Sequence, residues 1–208
     1  IHAFRPVRPG TMQLVESTEF DMPAPFWETA ARAGITTCVL DMPHYPTPAA
    51  TRALEKLRYI EWAPHPPQRR PSSLPPELLP LLMSRYGPHP FPIDIESLPT
   101  AADSADHLAC ICAGARKRAA VINDLIRTTN PELLVAVFSE PHTAAHQWLH
   151  QETPGHHRFD PGLLSSVGSP MRHVCEAVDG AVGTLIEQLP PEATVFITCL
   201  GGERVTHG

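Results

Sequence analysis

Proline sets the first limit on what this chain can fold into. Twenty-five of its 208 residues are proline, and they crowd between Met42 and Pro99. Each one removes a backbone donor and blocks a helix interior. That stretch must therefore be mostly turns and extended chain, with short helices fitting only at Ala49–Leu57 and Pro76–Tyr86. Its Tyr59, Trp62 and Phe91 make it too apolar for a linker. We read it as a loop-rich, cap-like insertion at about residues 42–99.

Outside the insertion the pattern is regular. Pro25 to Gly34 reads as a short helix with proline near its start and glycine at its close. Ile35–Leu40 follows as a short β-branched strand. Ala102–Thr128 is a long helix, with Leu108, Ile111, Cys112, Ala115, Ala119, Ile122, Leu125 and Ile126 on one face. Leu133–Phe138 is a continuous apolar run, as in a strand covered on both faces. Pro170–Leu189 is another helix, and Thr194–Leu200 another buried strand. Helix–strand units in this order predict an α/β domain with a mostly parallel sheet containing Ile35–Leu40, Leu133–Phe138 and Thr194–Cys199. Ligands in such a fold collect at the carboxyl ends of the strands.

Composition narrows the partners. A 42% hydrophobic content supports a core, and a net charge of −6 argues against binding a nucleic-acid backbone. The densest basic run, Arg116-Lys117-Arg118, reads as the solvated face of a helix. No apolar stretch reaches the ~20 residues of a bilayer span. The five cysteines form an odd set without a CxxC pair, which suggests buried free thiols, a reducing compartment and a cytoplasmic location. The chain starts at Ile1 without an apolar leader, so it is expected to be a piece of a longer protein.

Histidine carries the chemistry. Five of the 12 histidines fall between His142 and His157, just beyond the strand Leu133–Phe138. His142, His146 and His150 are spaced four apart, so a helix places them on one face about 6 Å from neighbour to neighbour. Two imidazoles can hold one divalent metal, and Glu140 offers an oxygen ligand. Zinc is the expected ion, because its borderline-soft character suits imidazole. Protons compete with the metal for imidazole, so affinity should fall as pH drops. His150 reads equally well as a group contacting substrate, and His156, His157 and Asp160 follow in a Pro/Gly loop able to fold back over the site. The bland alternative is an α/β domain decorated with solvated histidines.

These residues also carry a resemblance. Glu140-Pro141-His142, His146 to His150 and His156-His157-Arg158-Phe159-Asp160-Pro161 are similar to a Glu-x-His-x-x-Gly-His-x-x-Trp-His pattern followed by a His-Pro-rich loop. That pattern belongs to a bacterial branch of the type I phosphodiesterase/nucleotide pyrophosphatase group of the alkaline phosphatase superfamily. Pro25-Phe26-Trp27 to Asp41-Met42-Pro43 resembles the group's Pro-Phe-Trp and Val-Asp-x-Pro run. Glu61-Trp62-Ala63-Pro64-His65 resembles its pocket-lining Trp-Gly-x-His segment, and Arg172–Leu189 its Val-Asp-x-x-hydrophobic-Gly helix. Ala145 stands in place of the pattern's glycine, and His142 stands where the wider group has Asp.

The resemblance implies a single, incomplete alkaline-phosphatase-like sandwich over residues 1–208. It implies a metal held by His142, His146 and Glu140, and a pocket containing Trp62, His65, His150, His156 and His157. It further implies hydrolysis of a small phosphorylated or sulfated ester through a covalent intermediate on a Thr or Ser. No Thr or Ser here has the strand-end Asp context such a nucleophile needs, and Gly201 replaces the histidine expected for a second metal. The competing reading is a non-catalytic relative that binds a metal or a phosphorylated ligand without turnover.

Overall fold

The computed structural model describes residues 10, 24–43, 54–63, 70–91 and 103–199. Its first helix, α1 (Phe26–Arg32), turns Trp27, Glu28 and Ala31 inward. Gly34, at φ 89°, takes the left-handed turn that ends it, a conformation only glycine adopts without strain. The chain then enters β1 (Thr37–Leu40), every residue of which is buried. Next come β2 (Leu57–Glu61), β3 (Ser72–Leu74) and α2 (Leu78–Tyr86).

The long helix α3 (Ser104–Thr129) follows, about 39 Å at 1.5 Å per residue. Asn130, left-handed at φ 41°, caps it through a bond from its N–H to the Ile126 carbonyl, and Pro131 prevents continuation. Strand β4 (Leu133–Ala136) leads directly into α4 (Glu140–Trp148) and a single 3₁₀ turn, Leu149–Glu152. Two further helices, α5 (Pro161–Val167) and α6 (Pro170–Ile186), each begin with proline behind a capping side chain. Asp160 accepts from Gly162 N–H, and Ser169 accepts from Arg172 N–H.

The four strands form one sheet in the order β3-β2-β1-β4. β1 runs parallel to both neighbours, with Leu40 beside Ile60 on one side and Ala136 on the other, while β3 is antiparallel to β2. The fold is thus α/β with a mostly parallel mixed sheet. Alternation along the strands splits the core. Val39, Leu57 and Tyr59 face Trp27 and Ala31 of α1. Cys38, Leu40 and Ile60 face Leu82 of α2 and Val121, Ile122 and Leu125 of α3. The amino-terminal half of α3 builds a further core, in which Leu108 and Ile111 pack with Phe91, Ala144, Trp148, Leu163 and Val174.

Several expectations change here. Residues 193–199 form no strand and all are exposed, Phe196 at 86% and Ile197 at 70%. An apolar run becomes a strand only where another strand accepts its ladder, and none of the described strands does so. Among the described residues, β4 is an edge strand paired only with β1, and its residues are half-buried rather than covered on both faces. Within 42–99, β2 lies next to the centre of the sheet, β3 at its edge, and α2 packs on its face. The described part of that stretch is therefore integral to the core. Leu57 opens β2 rather than closing a helix. Residues 49–53 of the expected helix lie outside the described residues. All five cysteines are free, but only Cys38 is buried, and burial pushes its thiol up to about 12. No helix among the described residues is long and apolar enough to cross a membrane.

Candidate metal centre

The carboxyl edge of the parallel strands gathers the ends of three elements. Asp41 directly follows β1, Trp62 follows β2, and Ser139 lies between β4 and α4. Asp41 takes a left-handed conformation, φ 54°, tolerated by its short polar side chain. It accepts a 2.9 Å bond from Ala63 N–H.

α4 divides its residues between two faces. Glu140, Thr143, Ala144, Gln147 and Trp148 are buried, while His142, Ala145 and His146 are half-buried. At 100° per residue, His142 and His146 lie on one side of the helix and Glu140 points to the other. The two imidazole Nε2 atoms stand 3.2 Å apart, with ring centroids at 4.5 Å and planes crossing at 83°. Two nitrogens on one tetrahedral zinc at about 2.0–2.1 Å must lie roughly 3.3–3.4 Å apart. The pair already has that bite within about 0.2 Å. Without metal, the same spacing is an N–H···N hydrogen bond, and a metal would displace the shared proton.

Glu140 serves a different cluster. Its Oε1 accepts from Arg118 Nε at 2.9 Å and faces His89 Nε2 at 3.1 Å. Its Oε2 is buried without a hydrogen-bond partner among the described residues. Arg118 is wholly buried; it donates through Nη1 to Asp41 Oδ2 and through Nη2 to Ser139 Oγ at 3.3 Å. Its guanidinium also lies against the rings of Trp62 (5.6 Å) and Phe138 (6.0 Å). Burial works to raise the Glu140 carboxyl, but Arg118 and His89 outweigh it and hold it at about 2. For Asp41, burial wins over Arg118 and the carboxyl is raised.

His89 reaches Glu140 through a notch. A Cβ on Gly114 of α3 would lie 2.2 Å from His89 Nε2, so glycine there makes room for the ring. The ring also meets Trp62 edge-on at 5.3 Å, and its Nδ1 lies 3.0 Å from the Phe91 carbonyl. His89, Phe91, Ile111, Ser139, Glu140 and Thr143 line a tight concavity around this contact.

The remaining expected site residues separate into two groups. His150, in the 3₁₀ turn, lies 5.6 Å ring to ring from His156, which stacks on His157 at 4.4 Å. His156 Nδ1 accepts the Arg158 N–H at 3.1 Å. The Nδ1 lone pair is therefore already engaged within the loop. Trp62 is buried, donating from Nε1 to the Gly87 carbonyl at 2.9 Å, and contributes to the core rather than to an open wall. His65 lies outside the described residues. Among the described residues, no three His, Cys, Asp or Glu side chains are arranged to hold a metal, so His142 and His146 stand as a pair without a third such side chain.

Arg118, His89 and Gly114 were not among the expected site residues. A signal for Arg118 existed: Ile111, Ala115, Arg118, Ile122 and Leu125 step along α3 by four, three, four and three, placing the arginine in the apolar stripe. A cation there is buried and needs carboxylate partners. No such local signal marks His89. Comparison with family models, curated proteins and solved structures returns no match for this chain.

Proposed function

We propose that His142 and His146 hold one divalent metal ion, zinc by the preference of imidazole, in a metal-dependent hydrolase of the phosphodiester or phosphate-ester type. One observation carries the metal reading: the 3.2 Å separation of the two Nε2 atoms on adjacent turns of α4. The hydrolase reading is supported by the sequence resemblance and by the position of α4 at the carboxyl edge of the sheet. The bound metal would act as a Lewis acid on a small phosphorylated or sulfated ester. The chain's own part is to hold two neutral imidazoles on a fixed helical face.

A non-catalytic metal-binding relative is the second reading, favoured by the diversion of Glu140 to Arg118. Two protein ligands are fewer than the three usual in catalytic zinc sites. Calorimetric zinc titration of the chain, and of the His142→Ala/His146→Ala variant, tests the binding. We expect a modest affinity, of micromolar order, that the double substitution abolishes; equal binding by both chains sinks the site. The chain is expected to bind zinc without turning over bis-nitrophenyl phosphate, because it has no Thr or Ser in the context of a nucleophile; zinc-dependent turnover would overturn the second reading.

A further inference from the structure

We infer that His89 is a positioning residue for the His142–His146 pair, acting through Glu140 as part of a latch that replaces an ordinary helix cap. The inference rests on the metal reading above. α4 has nine residues, and a helix so short is marginal unless its ends are held. Its N-cap, Ser139, has helical rather than extended backbone angles and makes no side-chain cap bond; its Oγ accepts instead from Arg118 Nη2. The first turn is held instead by Glu140, whose Oε1 is shared between Arg118 and His89.

His142 belongs to that first turn, whereas His146 lies one turn further in. The metal-sized bite between them exists only while the first turn stays wound. Arg118 ties the latch to the frame, since it also bonds Asp41 at the end of β1. His89 comes from the chain beyond α2 and enters through the Gly114 notch, braced by Trp62 and Phe91. It is the latch member whose removal leaves the Arg118 ion pairs intact.

The test compares His89→Leu with His89→Gln, whose amide nitrogen can take the place of Nε2 as donor to Glu140. Cobalt(II) titration reports both affinity and, through the intensity of its visible absorption, coordination geometry. We expect His89→Leu to weaken cobalt and zinc binding about tenfold, the low end of what outer partners of metal ligands cost, and to change the cobalt spectrum. His89→Gln should restore most of both. A folded His89→Leu variant with the native affinity and spectrum overturns the latch while leaving the metal site standing. Absence of binding by the unmodified chain overturns both. Should His89→Leu fail to fold, the unmodified chain decides: its His89 ring resonances should shift when zinc loads His142 and His146, and resonances that do not move overturn the inference.

Discussion

At the scale of residues, Arg118 with Asp41 and Glu140 is a buried charge cluster that is costly to form. Removing three charges from water is repaid only when they pair closely and their remaining valences are used. Arg118 meets this condition through hydrogen bonds to Asp41, Glu140 and Ser139 and contacts with the rings of Trp62 and Phe138. Glu140 shows the consequence for pH. Its folded-state value near 2 lies below the ordinary 4.5, so its pairing contributes stability above about pH 4.5 and loses it as pH falls toward 2. The contribution is on the order of 3 kcal/mol. Asp41, raised in the fold, acts in the opposite sense, but it is present in both proteins when the native chain is compared with Glu140→Gln. Denaturant titrations from pH 2 to 7 should show the native chain more stable than Glu140→Gln above pH 5, with the gap closing toward pH 2. A gap constant over that range contradicts the assigned pairing. In the sequence, Glu140 looked like a companion of His142 because it is two positions away. On a helix two positions amount to 200°, and that rotation sends it to the arginine instead.

The elements follow local rules closely, except where a strand needs a neighbour. α1, α3 and α6 match their predicted spans because proline starts, glycine or asparagine ends and a 3.6-residue apolar stripe are all local signals. β1 and β4 emerge from short apolar runs in the same way. The segment Thr194–Cys199 has the same composition as those strands yet lies exposed. Phe196→Ser should therefore change unfolding free energy by less than about 0.5 kcal/mol, as at other surface positions. A loss of about 3 kcal/mol or more, the cost of truncating a buried phenylalanine, measured by denaturant titration, would restore the buried-strand reading. β2 lacks a local signal for the converse reason. Its Leu57-Arg58-Tyr59-Ile60-Glu61 sits among prolines and charges, and only its placement beside β1 buries Tyr59 and Ile60 on opposite faces.

For the molecule as a whole, α3 is the spine. Its carboxyl half covers the sheet and its amino half carries the helical core around Trp148, with Gly114 and Arg118 at the junction. Ligand binding at α4 is therefore expected to register in global stability. Zinc at 100 times its dissociation constant should stabilise the fold by about 2.7 kcal/mol, raising the melting temperature by roughly 5–10 °C for a chain of this size. The His142→Ala/His146→Ala variant should show no rise. A thermal shift of equal size in both proteins, followed by circular dichroism, would assign the zinc effect to some other part of the chain.

Periodicity and capping residues by themselves determined α1, α2, α3 and α6 and two of the parallel strands, and histidine spacing put His142 and His146 on one side of a helix. Each depends on residues within one or two turns, so each is written locally. The tertiary structure alone decided that Glu140 answers to Arg118 and His89, that β2 enters the middle of the sheet, and that Thr194–Cys199 stays uncovered. Those outcomes depend on partners 22, 51 and more residues away along the chain. Burial and charge pairing are settled by which surfaces meet, and no local pattern encodes that meeting.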